Sequence, residues 1–226
     1  MVKKLKTKEK VSPPGGTAAR REELREALLA AVERTVVAEG YQALRARDLA
    51  REVGCAVGAI YNVFPDLDAL VFAAKERTLD LLDRELGEAV AAVGSATSIT
   101  AEIATRQLLA LADAYLRFAI DHAQLWRMLF EYRAAEVPAW YRDRLSALFA
   151  HVDAPLCAIV PDLAEDKRGL LGRALFSAVH GIVVLGLEER IDTISPAEIA
   201  GQVATIVRAS VAGLTARGDH DEVVRL

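Results

Sequence analysis

The stretch GCAVGAIYNVF, Gly54 to Phe64, reads as a tight turn followed by a helix of about two turns. A helix that short is not stable in isolation. It carries one strongly polar side chain, Asn62, and two residues spaced to face a core, Ile60 and Phe64. Such a segment needs neighbours to hold it, and its other face needs a purpose. The flanking sequence supplies the neighbours. Ala46, Leu49, Ala50 and Val53 mark a short helix that Gly54 stops. Before it, Leu24, Ala27, Leu28, Ala31, Val32, Thr35 and Val36 recur at helical spacing from Arg20 onward, and Gly40 ends that helix as a left-handed cap. Three short helices with a Gly-Cys-Ala-Val turn between the second and third match helix-turn-helix construction, in which the first two brace the third.

Composition sets the outer limits. With 53% apolar and 27% charged residues in 226, the chain can build a core. No leader with a cleavage site and no uninterrupted apolar run of membrane-spanning length is expected, so the chain is read as a cytoplasmic protein with no membrane partner. Cys55 and Cys157 lie far apart in unlike contexts, which argues against a disulfide framework. Cys55 is read as a small apolar turn residue rather than a redox switch. The formal net charge is −4, but residues 1–64 carry +4 and the remainder −8. That asymmetry can point one end at phosphates. The five lysines of the first ten residues would alone produce it, so charge leaves both readings open.

The rest of the chain is helical in pattern. Residues 1–16, closed by Pro13-Pro14-Gly15-Gly16, read as a mobile basic arm. Pro65 ends the short helix, and Asp66 is placed to cap a long one bearing Leu67, Leu70, Val71, Ala74, Thr78, Leu81, Leu82 and Leu86. Helices are expected at 100–122, 123–135, 138–160, 163–190 and 196–217. Pro155 should kink or end the third of these. Asp162 with Glu165, and Ser195-Pro196-Ala197-Glu198, both fit a capping box. No segment alternates with period two over a strand's length. The predicted fold is all-α: a small helix-turn-helix unit at 17–65, a larger helical body at 66–217, and a tail at 218–226.

With these features in place, the span from Arg21 to Val71 resembles the N-terminal domain of TetR-family transcriptional regulators. The resemblance rests on an ordered set: Gly40-Tyr41, Arg47-Asp48-Leu49-Ala50, Gly54, Gly58-x-Ile60-Tyr61-x-x-Phe64 and the helix start from Asp66 to Leu70. It covers about a quarter of the chain. His180-Gly181 and Leu125 to Glu131 resemble, more weakly, one C-terminal subgroup. Several residues depart from the family pattern. Arg45 (or Ala46) and Ala56 stand where Ser or Thr usually caps the second and third helices. Val57 and Leu67 stand where lysines are common, and Val63 where histidine is. Arg45, Arg47, Lys75 and the lysine arm are the available substitutes for the missing phosphate contacts.

The DNA-contact candidates are Arg45, Arg47, Gly58, Ala59, Tyr61 and Asn62. Asn62, the only asparagine in the chain, can bond the N6 and N7 edge of adenine in a major groove that admits an α-helix. Its plain alternative is a hydrated surface residue. The resemblance assigns Tyr61 a phosphate contact, against packing on the first helix. It assigns Arg47 a base or phosphate contact, against an ion pair with Asp48 or Glu52. Gly58 and Ala59 are small enough for close approach, and a methyl such as Ala59's can touch thymine. Arg45 and the arm are phosphate candidates.

In the larger domain, helices at 163–190 and 196–217 are rich in small residues and suit a homodimer interface of four helices. The alternative is that 163–190 is simply a buried central helix. The resemblance implies a small-molecule trigger. Tyr115, Trp126, Met128, Phe130 and His180 are the pocket candidates, and the aromatic stock points to a small, mostly apolar effector. Aromatic residues at helical spacing are also what a plain core contains. The resemblance further implies a ligand-responsive repressor on a palindromic double-stranded operator. The rivals are a helical protein-partner module and an unrecognised all-α enzyme. No paired-histidine spacing, nucleophile elbow or phosphate-cradling glycine loop is seen, so no catalytic residue, metal or cofactor is expected.

Overall fold

The computed structural model describes residues 16–94, 99–188 and 194–218, and every element among them is helical. The basic arm, apart from Gly16, and the tail after Gly218 lie outside the described residues. Two compact units divide inside one helix, the first ending at Ala74 and the second beginning at Lys75.

The smaller unit contains α1 (Gly16–Glu39), a 3-10 turn (Tyr41–Ala43), α2 (Ala46–Val53), α3 (Val57–Val63) and the start of α4 (Leu67–Val93). α1 begins directly after the Pro-Pro-Gly run, four residues earlier than its apolar spacing indicated. Its stripe of Leu28, Ala31, Val32 and Val36 is buried, as are Leu44, Leu49, Ala50, Ile60 and Phe64. Two glycines terminate helices in different ways. Gly54 is left-handed (φ 76°, ψ 31°). It lets Cys55 N donate to Ala50 O at 2.9 Å and Gly54 N to Arg51 O at 3.3 Å, the paired closure of a Schellman end. Gly40 is not the left-handed cap expected of it. Its φ of 82° comes with ψ 163°, an extended mirror conformation essentially restricted to glycine, which swings the chain into the 3-10 turn. α3 has no side-chain cap, since Ala56 precedes it, and it is held by the burial of Ile60 and Phe64.

α4 starts where expected, with Asp66 Oδ1 accepting from Ala69 N at 2.7 Å. The larger unit then adds α5 (Ala101–Asp121), α6 (Ala123–Glu131), α7 (Ala139–Leu148), α8 (Ala150–Ile159), α9 (Glu165–Gly186) and α10 (Pro196–Gly218). α5 is central, packed on α8, α9 and α10, with Leu108, Leu111, Tyr115 and Phe118 buried.

Four expectations are corrected. α6 stops at Glu131 rather than near 135, because Tyr132 turns to an extended backbone (ψ 119°) and lays its ring against Lys75. The helix expected at 138–160 is two helices, and the break falls at Phe149, not at Pro155. Pro155 sits inside the second of these, sixth of its ten residues, where it forgoes a ladder bond without ending the helix. Asp162 and Glu165 form no capping box: α9 starts at Glu165 behind Ala164, without a side-chain cap. Arg168 fixes that turn instead, donating to Asp153 at 2.7 Å and to Leu163 O at 3.2 Å. The Ser195 box does form, with Glu198 N donating to Ser195 Oγ at 3.3 Å and Ser195 N to Glu198 Oε2 at 2.8 Å.

The fourth correction concerns apolar length. α9 and α10 are each long and apolar enough to cross a membrane by length and composition, yet only 22% of the most apolar window of each is buried within the chain. No single run revealed this, because small and polar residues interrupt both helices while their averages stay high. Leu170, Val184 and Leu185 of α9 stand exposed.

Candidate nucleic-acid interface and ligand cavity

In the smaller unit, α3 divides sharply. Ile60 is fully buried, while Gly58, Tyr61 and Asn62 are exposed and Ala59 is half-buried. Tyr61 leaves 47% of its surface open to solvent. The surroundings of Gly58 are equally open: a Cβ added there would meet no atom within 4 Å. Val57 is half-buried, in phase with Ile60.

The two arginines differ. Arg45 is exposed, but its guanidinium is folded back on its own turn and donates to Gln42 O and Leu44 O, both at 2.8 Å. Arg47 is exposed on α2. The carboxylates that might have held it are engaged elsewhere: Asp48 accepts from Arg51 at 2.7 Å, and Glu52 accepts from both Nε and Nη2 of Arg34. Lys75, expected as a substitute phosphate contact, is corrected. It is only 3% exposed, in the larger unit, with its ammonium 4.7 Å from the Tyr141 ring centre and 5.8 Å from that of Tyr132. Burial, reinforced by the nearby Arg133 charge, lowers its pKa to about 8. An ammonium enclosed there does not reach a phosphate.

The larger unit holds a cavity of about 240 Å³. Its walls come from α4 (Leu82, Leu86), α5 (Leu108, Leu111, Ala112, Tyr115), α6 (Phe130), α7 with its break (Leu145, Leu148, Phe149), α8 (Val152), α9 (Leu175, Phe176, Val179) and α10 (Val207). Of the five sequence candidates, Tyr115 and Phe130 line it. Trp126 and His180 do not line it; they form a cluster behind Tyr115. Met128 is fully buried elsewhere in the core. In the cluster, Trp126 Nε1 donates to the Tyr115 hydroxyl at 2.9 Å, and that hydroxyl lies 2.6 Å from His180 Nδ1. Burial lowers the His180 pKa, favouring the neutral ring, which in its Nε2–H tautomer accepts from the tyrosine hydroxyl at Nδ1. Burial likewise raises the Tyr115 pKa well above its ordinary value, and the phenol stays protonated.

Sequence reasoning missed the leucines of α4 and α7, which have no chemical label separating them from core. Phe176, one helical turn before His180, was the available signal: the two rings stack at 5.4 Å and 23°. Around the cavity, α4 is tied to its neighbours by polar contacts. Arg144 pairs with both Asp80 and Asp83, His151 Nε2 lies 2.7 Å from Asp83 Oδ1, and His122 Nε2 lies 3.3 Å from Glu85 Oε1. Among the described residues, no three of His, Cys, Asp and Glu converge to hold a metal ion.

The comparisons follow this division. The family model for bacterial regulatory proteins of the tetR family matches residues 28–74. The one for the tetracyclin repressor-like C-terminal domain matches 108–210. Together they span about two thirds of the chain. No curated protein matches in sequence. Among solved structures, a protein of unknown function from Rhodococcus sp. RHA1 is similar with TM-score 0.67 at 25% identity, covering 85% of this chain and 95% of its own. A tetR-family transcriptional regulator from Streptomyces coelicolor shares the fold with TM-score 0.63 at 17% identity, covering 89% and 90%. So does RolR, solved in complex with resorcinol, with TM-score 0.59 at 15% identity, covering 92% and 98%. A helix-turn-helix unit and a larger helical unit, each matched by the family's model for that half, place the chain in the TetR family of ligand-responsive, DNA-binding transcriptional regulators.

Proposed function

We propose that this protein is a repressor that binds a palindromic operator as a homodimer and is released by a small, mostly apolar effector. It acts in the cytoplasm, on DNA. Residues 17–65 read the duplex, and 66–217 bind the effector and dimerise. The observation that carries the reading is the two-sided character of α3. Ile60 anchors it inward, while Gly58, Tyr61 and Asn62 stand outward, and among the described residues nothing lies within 4 Å of a Cβ built on the glycine. A helix presented this way fits a major groove. Asn62 is the base-edge reader, Tyr61 and Arg47 the phosphate contacts, and Ala59 a methyl contact. Arg45 reaches phosphate only by leaving its backbone carbonyls.

Two further observations support the rest. The exposed apolar surface of α9 and α10 is suited to burial by a second copy. A dimer presents two reading helices to half-sites about 34–36 Å apart, or to spacings adjusted by bending. The larger unit's cavity is suited to an effector, and the similarly folded RolR was solved with a small aromatic ligand. Effector binding shifts the protein toward the conformation that binds it better. α4, continuous from Leu67 to Val93, is the covalent path from cavity wall to reading unit.

The test uses operator fragments selected from genomic DNA. Binding should weaken steeply as salt rises, through release of counterions. Tyr61→Ala and Asn62→Ala should each lose about 1–3 kcal/mol of operator affinity while keeping wild-type helicity and dimer mass. Unchanged operator affinity in both variants refutes the assignment.

A further inference from the structure

We propose that the cavity selects an uncharged hydrocarbon body of about ten carbon atoms, ring-bearing, and rejects ligands that must bury an anionic group there. This rests on the reading above that places the effector in the larger unit. Three observations carry it. The first is size. An apolar cavity of roughly 150 Å³ takes benzene, so one of about 240 Å³ takes a body near the size of naphthalene or butylbenzene.

The second is the chemistry of the wall. Leu82, Leu111, Leu148, Phe149, Phe176 and Val179 present only carbon, and among the described residues no charged side chain lines the space. The single polar lining residue is Tyr115, whose hydroxyl is committed behind the wall. It accepts from Trp126 Nε1 at 2.9 Å and lies 2.6 Å from His180 Nδ1. Beyond the wall, Arg144 is paired with Asp80 and Asp83, His151 Nε2 lies 2.7 Å from Asp83 Oδ1, and the Arg173 guanidinium lies 6.0 Å from the Phe149 ring centre without lining the space. A carboxylate entering the cavity finds no donor and loses its hydration. The third observation is ring geometry. Phe176 meets Tyr115 at 5.5 Å and 74°, and Phe149 at 5.5 Å and 83°. These rings stand edge to face, so the lining offers both edges and faces, the surfaces an aromatic guest packs against.

The experiment titrates the full chain, without DNA, with naphthalene and with 2-naphthoate, following heat or thermal midpoint. Naphthalene should bind saturably and raise the midpoint. Naphthoate should bind at least about a hundredfold more weakly. Ala112→Leu, on the α5 wall, should cut naphthalene affinity at least about tenfold. Val207→Ile is a gentler filling that should weaken binding in the same direction if Ala112→Leu fails to fold. The inference is overturned if naphthalene shows no saturable binding, if naphthoate binds comparably, or if a folded filling variant binds naphthalene unchanged. Because DNA is absent, the two readings fail separately. A chain that binds naphthalene but no operator keeps this inference and refutes the regulator; one that binds operator but no hydrocarbon does the reverse.

Discussion

Gly58 is the second residue of α3, in its first turn, where glycine costs at most the roughly 0.5–1 kcal/mol that it costs relative to alanine in a helix interior. Nothing in the fold demands it: its φ is ordinary and the space beside it is open. Gly58→Ala should therefore raise unfolding stability by up to about 0.5–1 kcal/mol in denaturant titration. If α3 lies in a groove with its backbone close to the duplex, the same change should weaken operator binding. Opposite signs in the two measurements identify a residue kept for contact; stability and affinity rising together would remove Gly58 from the interface. His180 makes a pH-dependent prediction of known sign. Its folded-state pKa is depressed below the ordinary 6.5 by burial. The unfolded chain thus binds the proton more readily, and stability rises with pH across that interval. The Tyr115–His180 cluster should contribute fully above about pH 6.5 and progressively less as pH falls through the folded-state value. Chemical unfolding at stepped pH should show a decline in wild type that His180→Gln flattens; parallel profiles would show that another group titrates.

At the scale of elements, α9 ends where a glycine admits α10. A Cβ on Gly186 would lie 2.7 Å from Cγ1 of Ile199, which is fully buried. Gly186→Ala should cost about 1–3 kcal/mol of unfolding free energy through overpacking, and combined with Ile199→Ala, which removes Cγ1 and Cδ1, it should cost clearly less than the sum of the two single changes. Additive costs would place the strain elsewhere. The same comparison shows which elements can be read from sequence. Asp66, Gly54 and Ser195 with Glu198 mark helix ends because a cap is a local device, complete within a few residues. Tyr132 and Phe149 end helices for tertiary reasons, a ring laid on Lys75 and a ring turned into the cavity wall, which no local pattern encodes. The outward face of α3 was legible because one buried phase, Ile60 and Phe64, fixes its opposite. The cavity was legible only in part. Tyr115 and Phe130 line it, but Leu82 and Leu148 are chemically identical to core leucines. Trp126 and His180 are drawn to one hydroxyl from 11 and 65 residues away.

At the scale of the whole molecule, exposed apolar surface decides the assembly. α9 and α10 carry enough of it to suit a bilayer by composition, yet leave most of it unburied in one chain. A stripe of that kind, with small residues such as Gly181, Gly201 and Gly213 whose added Cβ atoms meet nothing within 4 Å, lets a second pair of helices approach closely. Leu170 and Leu185, 66% and 57% exposed, are the test positions because neither supports the fold of its own chain. Leu170→Glu with Leu185→Glu should place four carboxylates in a dimer interface without unpaired burial in the monomer. Sedimentation should then show a monomer where the parent chain is a dimer, with helicity preserved. Operator affinity should fall well below that of the parent, because half-site binding is no longer linked into one event. A doubly substituted chain that stays dimeric excludes this stripe as the interface. One that becomes monomeric yet binds operator as tightly as before shows that a single reading helix suffices.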